Sequence, residues 1–235
     1  MAVPEEIVPG VYAIRLGYVN AFIIVGDGEA AFVDSGLRGR KEKILGAAAA
    51  IGKQPGDFKH ILITHHHGDH MGSLADLKEA TEAIAYAHPA DSPVVRGEQR
   101  DPGPNPASRL GKLVWPLLTR SGAPRPAGVE VEVTDGQELA IAGGVLAVHT
   151  PGHTPGHLAY LLRRDGGILF AGDAAGNIFR LGMAPFMFTR DVNQAKASIA
   201  KLAALEFETA CFGHGRVLKG QANLKFRRLV EKLAR

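Results

Sequence analysis

Along the first third of the chain, apolar residues come in short runs cut by turn residues. "VYAIRL" (11–16), "NAFIIV" (20–25) and "EAAFVD" (29–34) are separated by Gly and Asp at hairpin spacing, which predicts a mostly antiparallel group of strands. "RGRKEKILGAAAAIG" then keeps helical spacing up to Gly52, "FKHILIT" (58–64) reads as a strand, and "MGSLADLKEAT" (71–81) is helical again through Leu74 and Leu77. A second series follows: strands "VEVEVTD", "QELAI", "GVLAVHT", "HLAYLL" and "GILFAGD", a helix near "NQAKASIAKLAAL", a strand "ETACFG" and a final helix "QANLKFRRLVEKLA". Strands followed by helices, twice over, imply two sheets packed together with helices outside.

Between the two series, residues 97–128 hold much of the chain's proline around one apolar segment, "LGKLVWPLL". A Pro- and Gly-flanked insertion of this length is expected to be a lid or binding loop, or else a disordered linker, and marks the boundary between two halves. The organisation expected is one domain over 1–235, with halves of about 1–96 and 129–235 joined by this lid-like insertion.

Composition narrows the class. At 235 residues with 46% hydrophobic and 22% charged positions, the chain can bury one large core. The N-terminus carries acidic residues and prolines where an export signal needs a basic start and an unbroken apolar core, and no apolar run nears the roughly 20 residues of a spanning helix. A single cysteine, Cys211, excludes an intrachain disulfide and suits a cytoplasmic setting. The net charge of +3 is small and dispersed, apart from "KFRR" near the end, read as a solvated helix face. Nucleic acid and membrane are not expected as partners; a small-molecule substrate is, and a homodimer is left open.

The chemistry concentrates in "THHHGDH" (64–70). In an extended segment alternate side chains share a face, so His65 and His67 point together and His66 points away. Gly68 lets the chain turn, and Asp69 and His70 are expected at the start of the next helix. Other ligand-type residues also follow apolar strands and are flanked by glycine: His153 in "PGHTPGH", Asp173 in "LFAGD" and His214 in "FGHG". Asp34 in "AFVDSG" ends a strand in the same way. Imidazoles with carboxylates suit zinc, iron or manganese better than calcium or magnesium. His60, His66, His149 and His157 are read as structural.

"THHHGDH", "PGHTPGH", "LFAGD" and "FGHG", in this order and spacing, resemble the metallo-β-lactamase-fold hydrolases, particularly the glyoxalase II-like and lactonase-like group. The resemblance runs from about Asp34 to His214. It implies an α/β (α+β) fold, a four-layer αββα sandwich of two mixed sheets with outer helices. It also implies a dinuclear centre of divalent ions, zinc first, with iron or manganese as alternatives. His65, His67 and His153 would hold one ion, Asp69, His70 and His214 the other, Asp173 would bridge both, and Asp34 would orient ligands from behind.

The function implied is hydrolysis of an ester, lactone or thioester by a hydroxide bridging the metals, with Asp69 and Asp173 as the catalytic carboxylates. Within the resemblance, penicillin-type activity is the less expected function, because true β-lactamases of this fold lack an aspartate matching Asp173. The alternatives are a mononuclear iron persulfide dioxygenase and a phosphodiesterase or ribonuclease of the same fold. Trp115, Phe179, Met183, Phe186 and His88 are the candidates for lining the substrate pocket.

Overall fold

The computed structural model describes residues 3–26, 28–118 and 124–234, so the part of the expected lid at 119–123 lies outside the described residues. The chain begins with β1 (Glu5–Val8), β2 (Val11–Arg15), β3 (Asn20–Gly26) and β4 (Glu29–Val33), then α1 (Lys41–Ala50), β5 (Phe58–Leu62), α2 (Leu74–Thr81) and β6 (Ile84–Ala87). The short α3 (Ser92–Val95) and α4 (Arg109–Leu118) precede β7 (Val131–Glu132). The second series is β8 (Glu138–Leu139), β9 (Val145–His149), β10 (Leu158–Leu162), β11 (Ile168–Phe170), β12 (Gly176–Asn177) and β13 (Leu181–Gly182). It closes with α5 (Val192–Ala203), β14 (Thr209–Cys211), β15 (Leu218–Lys219) and α6 (Ala222–Leu233).

β1 to β7 form one sheet in sequence order. Its first four strands are antiparallel, as the hairpin spacing predicts, but β4, β5, β6 and β7 are parallel, with α1 and α2 as crossovers. The hairpin group is thus antiparallel as expected and the sheet as a whole is mixed, because a helix between two strands returns the chain in the same direction. After the insertion the chain rejoins this first sheet through β7 before it starts the second. The second sheet has the order β15-β14-β11-β10-β9-β8, and β12 pairs with β13 in a small ribbon, with Asn177 also bridging to Gly215.

Why the strands read as near-continuous apolar runs is clear from β3 and β10. Phe22 and Ile24 face the layer between the sheets, where they meet Tyr160, Leu162 and Phe170, while Ile23 packs outward with Ile44 of α1 and Leu77 of α2. Leu161 of β10 likewise turns outward to Ile199 of α5 and Phe226 of α6. Both faces of each central strand are buried, so both parities of the period-2 pattern are apolar. The result is the helix–sheet–sheet–helix layering expected.

This topology places the site. The parallel strands β4, β5 and β6 in one sheet, and β11 and β14 in the other, end at a common edge, and the residues just beyond them are Asp34, the 64–70 loop, Asp173 and His214. Ligands gather outside the carboxyl ends of parallel strands because those ends carry the loops that a crossover leaves free. Cross-sheet bonds fix the edge: Leu158 N–H donates to Thr64 O (2.8 Å) and the Tyr160 hydroxyl donates to Ile63 O (3.0 Å).

Candidate metal centre

Three imidazoles meet beneath the cavity floor. His67 Nδ1 lies 3.1 Å from His65 Nε2 and 3.0 Å from His153 Nε2, and all three side chains are buried. The tautomer of His65 follows from its neighbours: the Thr64 hydroxyl donates to Asp34, so His65 Nδ1–H donates to Thr64 Oγ1 (3.0 Å) and Nε2 is left as a lone pair. Burial and the adjacent imidazoles push His65 well below the usual histidine range, burial pushes His153 down against the pull of Asp173, and His67 is lowered to about 4. These are neutral rings with nitrogens turned toward one another at hydrogen-bond distance, an arrangement that can offer converging lone pairs to a cation.

Asp69, His70 and His214 form a second group, and Asp173 stands between the two. Asp173 Oδ2 is 3.4 Å from His153 Nε2 and 3.3 Å from His214 Nε2, Asp173 Oδ1 is 3.4 Å from His70 Nε2, and Asp69 Oδ2 is 3.4 Å from His214 Nε2. Both His70 Nε2 and Asp173 Oδ1 are buried without an aligned hydrogen-bond partner. Burial works against charge on His70 and His214, but the facing carboxylate of Asp173, with Asp34 on one side and Asp69 on the other, outweighs it and raises them to about 10 and about 11. The carboxylates call for positive charge here, and protons supply it when nothing else does. Converging lone pairs in one group, excess carboxylate in the other and orphaned buried atoms between them fit divalent cations.

Each donor is aimed by a partner behind it. Asp34 accepts His70 Nδ1–H (2.8 Å) and Thr64 N–H (2.8 Å), with its backbone at φ 61°, the left-handed region that aspartate tolerates. His157 Nε2 accepts Asp173 N–H (2.9 Å), so its Nδ1–H donates to Thr150 Oγ1 (2.8 Å); burial lowers His157 to about 3 and keeps it neutral for this task. His214 Nδ1–H donates to Tyr18 O (2.9 Å), and the Tyr18 ring stacks on it at 5.7 Å. Asn20 clamps the same loop, with Nδ2 donating to Phe212 O (3.0 Å) and Gly215 O (2.9 Å). Two glycines permit the crowding: a Cβ at Gly213 would overlap Asp173 and His70, and one at Gly172 would come within 2.7 Å of His157 Nε2.

His66 points away from the cluster, as alternation predicts. Its Nδ1 lies 2.9 Å from Asp91 Oδ2 and its Nε2 is 3.6 Å from Asp101 Oδ1, ion pairs rather than aligned hydrogen bonds. Burial opposes its charge, yet these two aspartates raise His66 to about 9. Asp91 is itself fully buried and accepts from Thr154 Oγ1 (2.7 Å) and Gly156 N–H (2.7 Å), so one carboxylate ties the 64–70 loop to the loop that carries His153. Sequence reasoning passed over Asp91, Asn20 and Tyr18. The only local signal was that Asp91, like the others, follows a strand end.

Above the cluster opens a cavity of about 720 Å³. Trp115, Phe179 and Met183 line it together with Ile178, Pro185 and Phe188, and its cations are Arg38 and Arg180. Trp115 reaches the site directly, with its ring 5.6 Å from that of His67.

Two pocket expectations are corrected. His88 is not at the cavity, because its ring stacks on His149 at 4.0 Å and faces away from the cluster. Phe186 is 53% exposed and does not line the cavity; the tight turn Phe186–Phe188 rotates successive side chains about 120° apart, and Phe188 takes the inward place. Asp69 and His70 sit in a turn closed by His70 N–H to His67 O (2.9 Å), ahead of α2, rather than in the helix itself.

Comparison with known proteins agrees with this geometry. Residues 14–214 match the profile of the metallo-beta-lactamase superfamily. Among curated proteins, the chain is 30% identical over 233 residues to the probable metallo-hydrolase YflN of Bacillus subtilis (strain 168), covering 92% of this chain and 88% of that one. It is 32% identical over 201 residues to a hydroxyacylglutathione hydrolase of Xanthomonas axonopodis pv. citri (strain 306), covering 85% of this chain but only 62% of that protein. A metallo-beta-lactamase HARLDQ motif mutant of Cronobacter sakazakii superposes with a TM-score of 0.75 at 22% identity, covering 99% of this chain and 92% of that one, a likeness of fold. The chain belongs to the metallo-beta-lactamase superfamily and is a metal-dependent hydrolase. Among the described residues no helix is long and apolar enough to cross a membrane.

Proposed function

We propose that this protein hydrolyses an acyl bond, an ester, lactone or thioester, at a dinuclear centre. The observation that carries the reading is Asp173, one buried carboxylate with an oxygen within 3.4 Å of a nitrogen from each histidine group. His65, His67 and His153 would hold one ion, Asp69, His70 and His214 the other, and Asp173 both, with zinc the best match to the donors. When bound, divalent ions polarise the scissile carbonyl and lower the pKa of water so that a hydroxide nucleophile is available near neutral pH.

The chain's own groups do the rest. Asp34 and His157 hold His70 and Asp173 in place, so these donors would need no reorganisation to keep the ions positioned during the reaction. Asp69 lines the cavity, where it would accept a hydrogen bond from the attacking water and so orient it. Trp115, Phe188 and Met183 exclude bulk water and offer an apolar surface to the acyl part of the substrate. The thioester arm has support from the hydroxyacylglutathione hydrolase likeness, although the chain spans 62% of that relative's length.

The test is metal analysis of the purified protein beside a panel of ester, lactone, thioester and phosphodiester substrates and an oxygen electrode with a persulfide. Acyl hydrolysis with about two metal ions per chain, lost on chelation and restored by zinc, is expected. A single iron with persulfide-dependent oxygen uptake, or turnover of phosphodiesters alone, would replace this reading.

The apolar cavity also predicts a chain-length preference. Burying each additional CH₂ is worth about 0.8 kcal/mol, so acyl groups differing by four carbons should differ by roughly two orders of magnitude in kcat/KM. Trp115→Ala should flatten that profile by raising KM for long acyl groups more than for short ones. Equal losses for both would assign Trp115 to packing alone.

A further inference from the structure

Seven of the ten large hydrophobic side chains exposed among the described residues lie around the mouth of this one cavity. Tyr18, Ile178 and Phe179 belong to its rim, and Phe179 is 99% exposed. Phe186 stands in the turn whose Phe188 lines the wall. The remaining three are on α4. Gly111 and Trp115, four residues apart, face the protein: Gly111 is buried, and a Cβ there would come within 3.0 Å of Met187 O, so the glycine lets the helix lie close against the turn. Leu110, Leu113 and Leu117 therefore form the opposite stripe, and Leu113 is 77% exposed.

The charge around this ring has one sign. α4 carries Arg109 and Lys112 and no acid, and Arg38 and Arg180 stand at the cavity itself. All four are exposed and none forms an ion pair among the described residues. The acids nearby, Asp69, Asp101 and Asp173, lie deeper and face histidines. A second copy docking through the same face about a two-fold axis would bring these cations against their own counterparts. An exposed apolar stripe flanked by unpaired basic residues instead matches an anionic lipid surface, where leucines enter the acyl boundary and basic groups meet phosphates.

We propose that the cavity mouth, led by the α4 stripe Leu110, Leu113 and Leu117 with Arg109 and Lys112, docks reversibly on anionic lipid membranes. Lying on a bilayer needs no spanning helix, and it would present the cavity to amphiphiles held in the membrane. The inference stands independently of which acyl bond is cleaved.

The test is co-sedimentation of the full protein with vesicles of phosphatidylcholine alone and of phosphatidylcholine with phosphatidylglycerol, alongside sedimentation velocity without lipid. Binding to the phosphatidylglycerol vesicles, weakened by salt, is expected. Leu113→Glu should lower it about tenfold or more, since it removes a leucine that would enter the acyl boundary and adds a repelled charge. Arg109→Gln with Lys112→Gln should lower it roughly tenfold through lost attraction to phosphate. Ile84→Glu, an exposed apolar position away from the mouth, should leave it unchanged. Unchanged thermal midpoints and unchanged hydrolysis of a soluble short-chain substrate would show that Leu113→Glu folds. Absence of vesicle binding by the wild-type protein, or binding indifferent to Leu113→Glu, overturns the proposal. A dimer in solution that Leu113→Glu dissociates, without vesicle binding, assigns the stripe to a second copy instead.

Discussion

Replacing Asp173 with alanine is expected to lower kcat/KM by roughly a thousandfold or more and to cost the protein at least one bound metal ion. The expectation rests on geometry. Asp173 Oδ2 is within 3.4 Å of both His153 Nε2 and His214 Nε2, while Oδ1 faces His70, so no other carboxylate of the described cluster touches both histidine groups. Truncation removes the shared ligand and also the negative charge that His70 and His214 face. Asp173→Asn separates these losses, because it keeps the size and one neutral oxygen while removing the charge. Metal content by elemental analysis, with kcat/KM on the best acyl substrate, decides the matter. Two metals retained with activity within tenfold of wild type would mean that Asp173 does not join the two groups.

Asp91→Ala should lower the thermal midpoint by on the order of 10 °C, the largest stability effect expected away from the metal donors. Asp91 is buried and accepts from His66 N–H (3.1 Å), Thr154 Oγ1 (2.7 Å) and Gly156 N–H (2.7 Å), and its Oδ2 pairs with His66 Nδ1 at 2.9 Å. His66, raised to about 9, and Asp91, lowered to about 2 mainly by His66 and Thr154 against the effect of burial, are both charged at neutral pH. Removing one member of a buried ion pair costs about 3–5 kcal/mol, since the other charge stays behind unpaired. Each kcal/mol is worth roughly 2–4 °C for a domain of this size. Asp91→Asn should recover part of the loss, because the amide oxygen still accepts from Thr154 or Gly156. A midpoint within about two degrees of wild type for Asp91→Ala would show that the two loops are held together by other contacts.

The two predictions differ in how far each could be read from sequence. Asp173 announces itself, since an aspartate between glycine-rich turn and strand end, in the company of "THHHGDH" and "FGHG", has few structural uses. Asp91 does not. It is one carboxylate in "HPADSP", and its partners are 25 and more residues away, so nothing local distinguishes it from a turn aspartate.

The same division runs through the whole molecule. Strand and helix periods, and the placing of ligand-type residues beside glycines at strand ends, are carried by neighbouring residues, and sequence alone determines them: both faces of β3 and β10 are buried, so both parities are apolar. The alternation that sets His65 and His67 apart from His66 is equally local. Tertiary structure decided what depends on distant chain segments meeting. It returned β7 to the first sheet after the insertion, placed His88 against His149, and brought Asp173 between two histidine groups that begin more than a hundred residues before it. It also chose Phe188 over Phe186 for the cavity wall and left one face of α4 in solvent. An apolar pattern states that a side chain gains by leaving water. Which surface receives it is fixed only when the sheets, crossovers and loops have closed around one another.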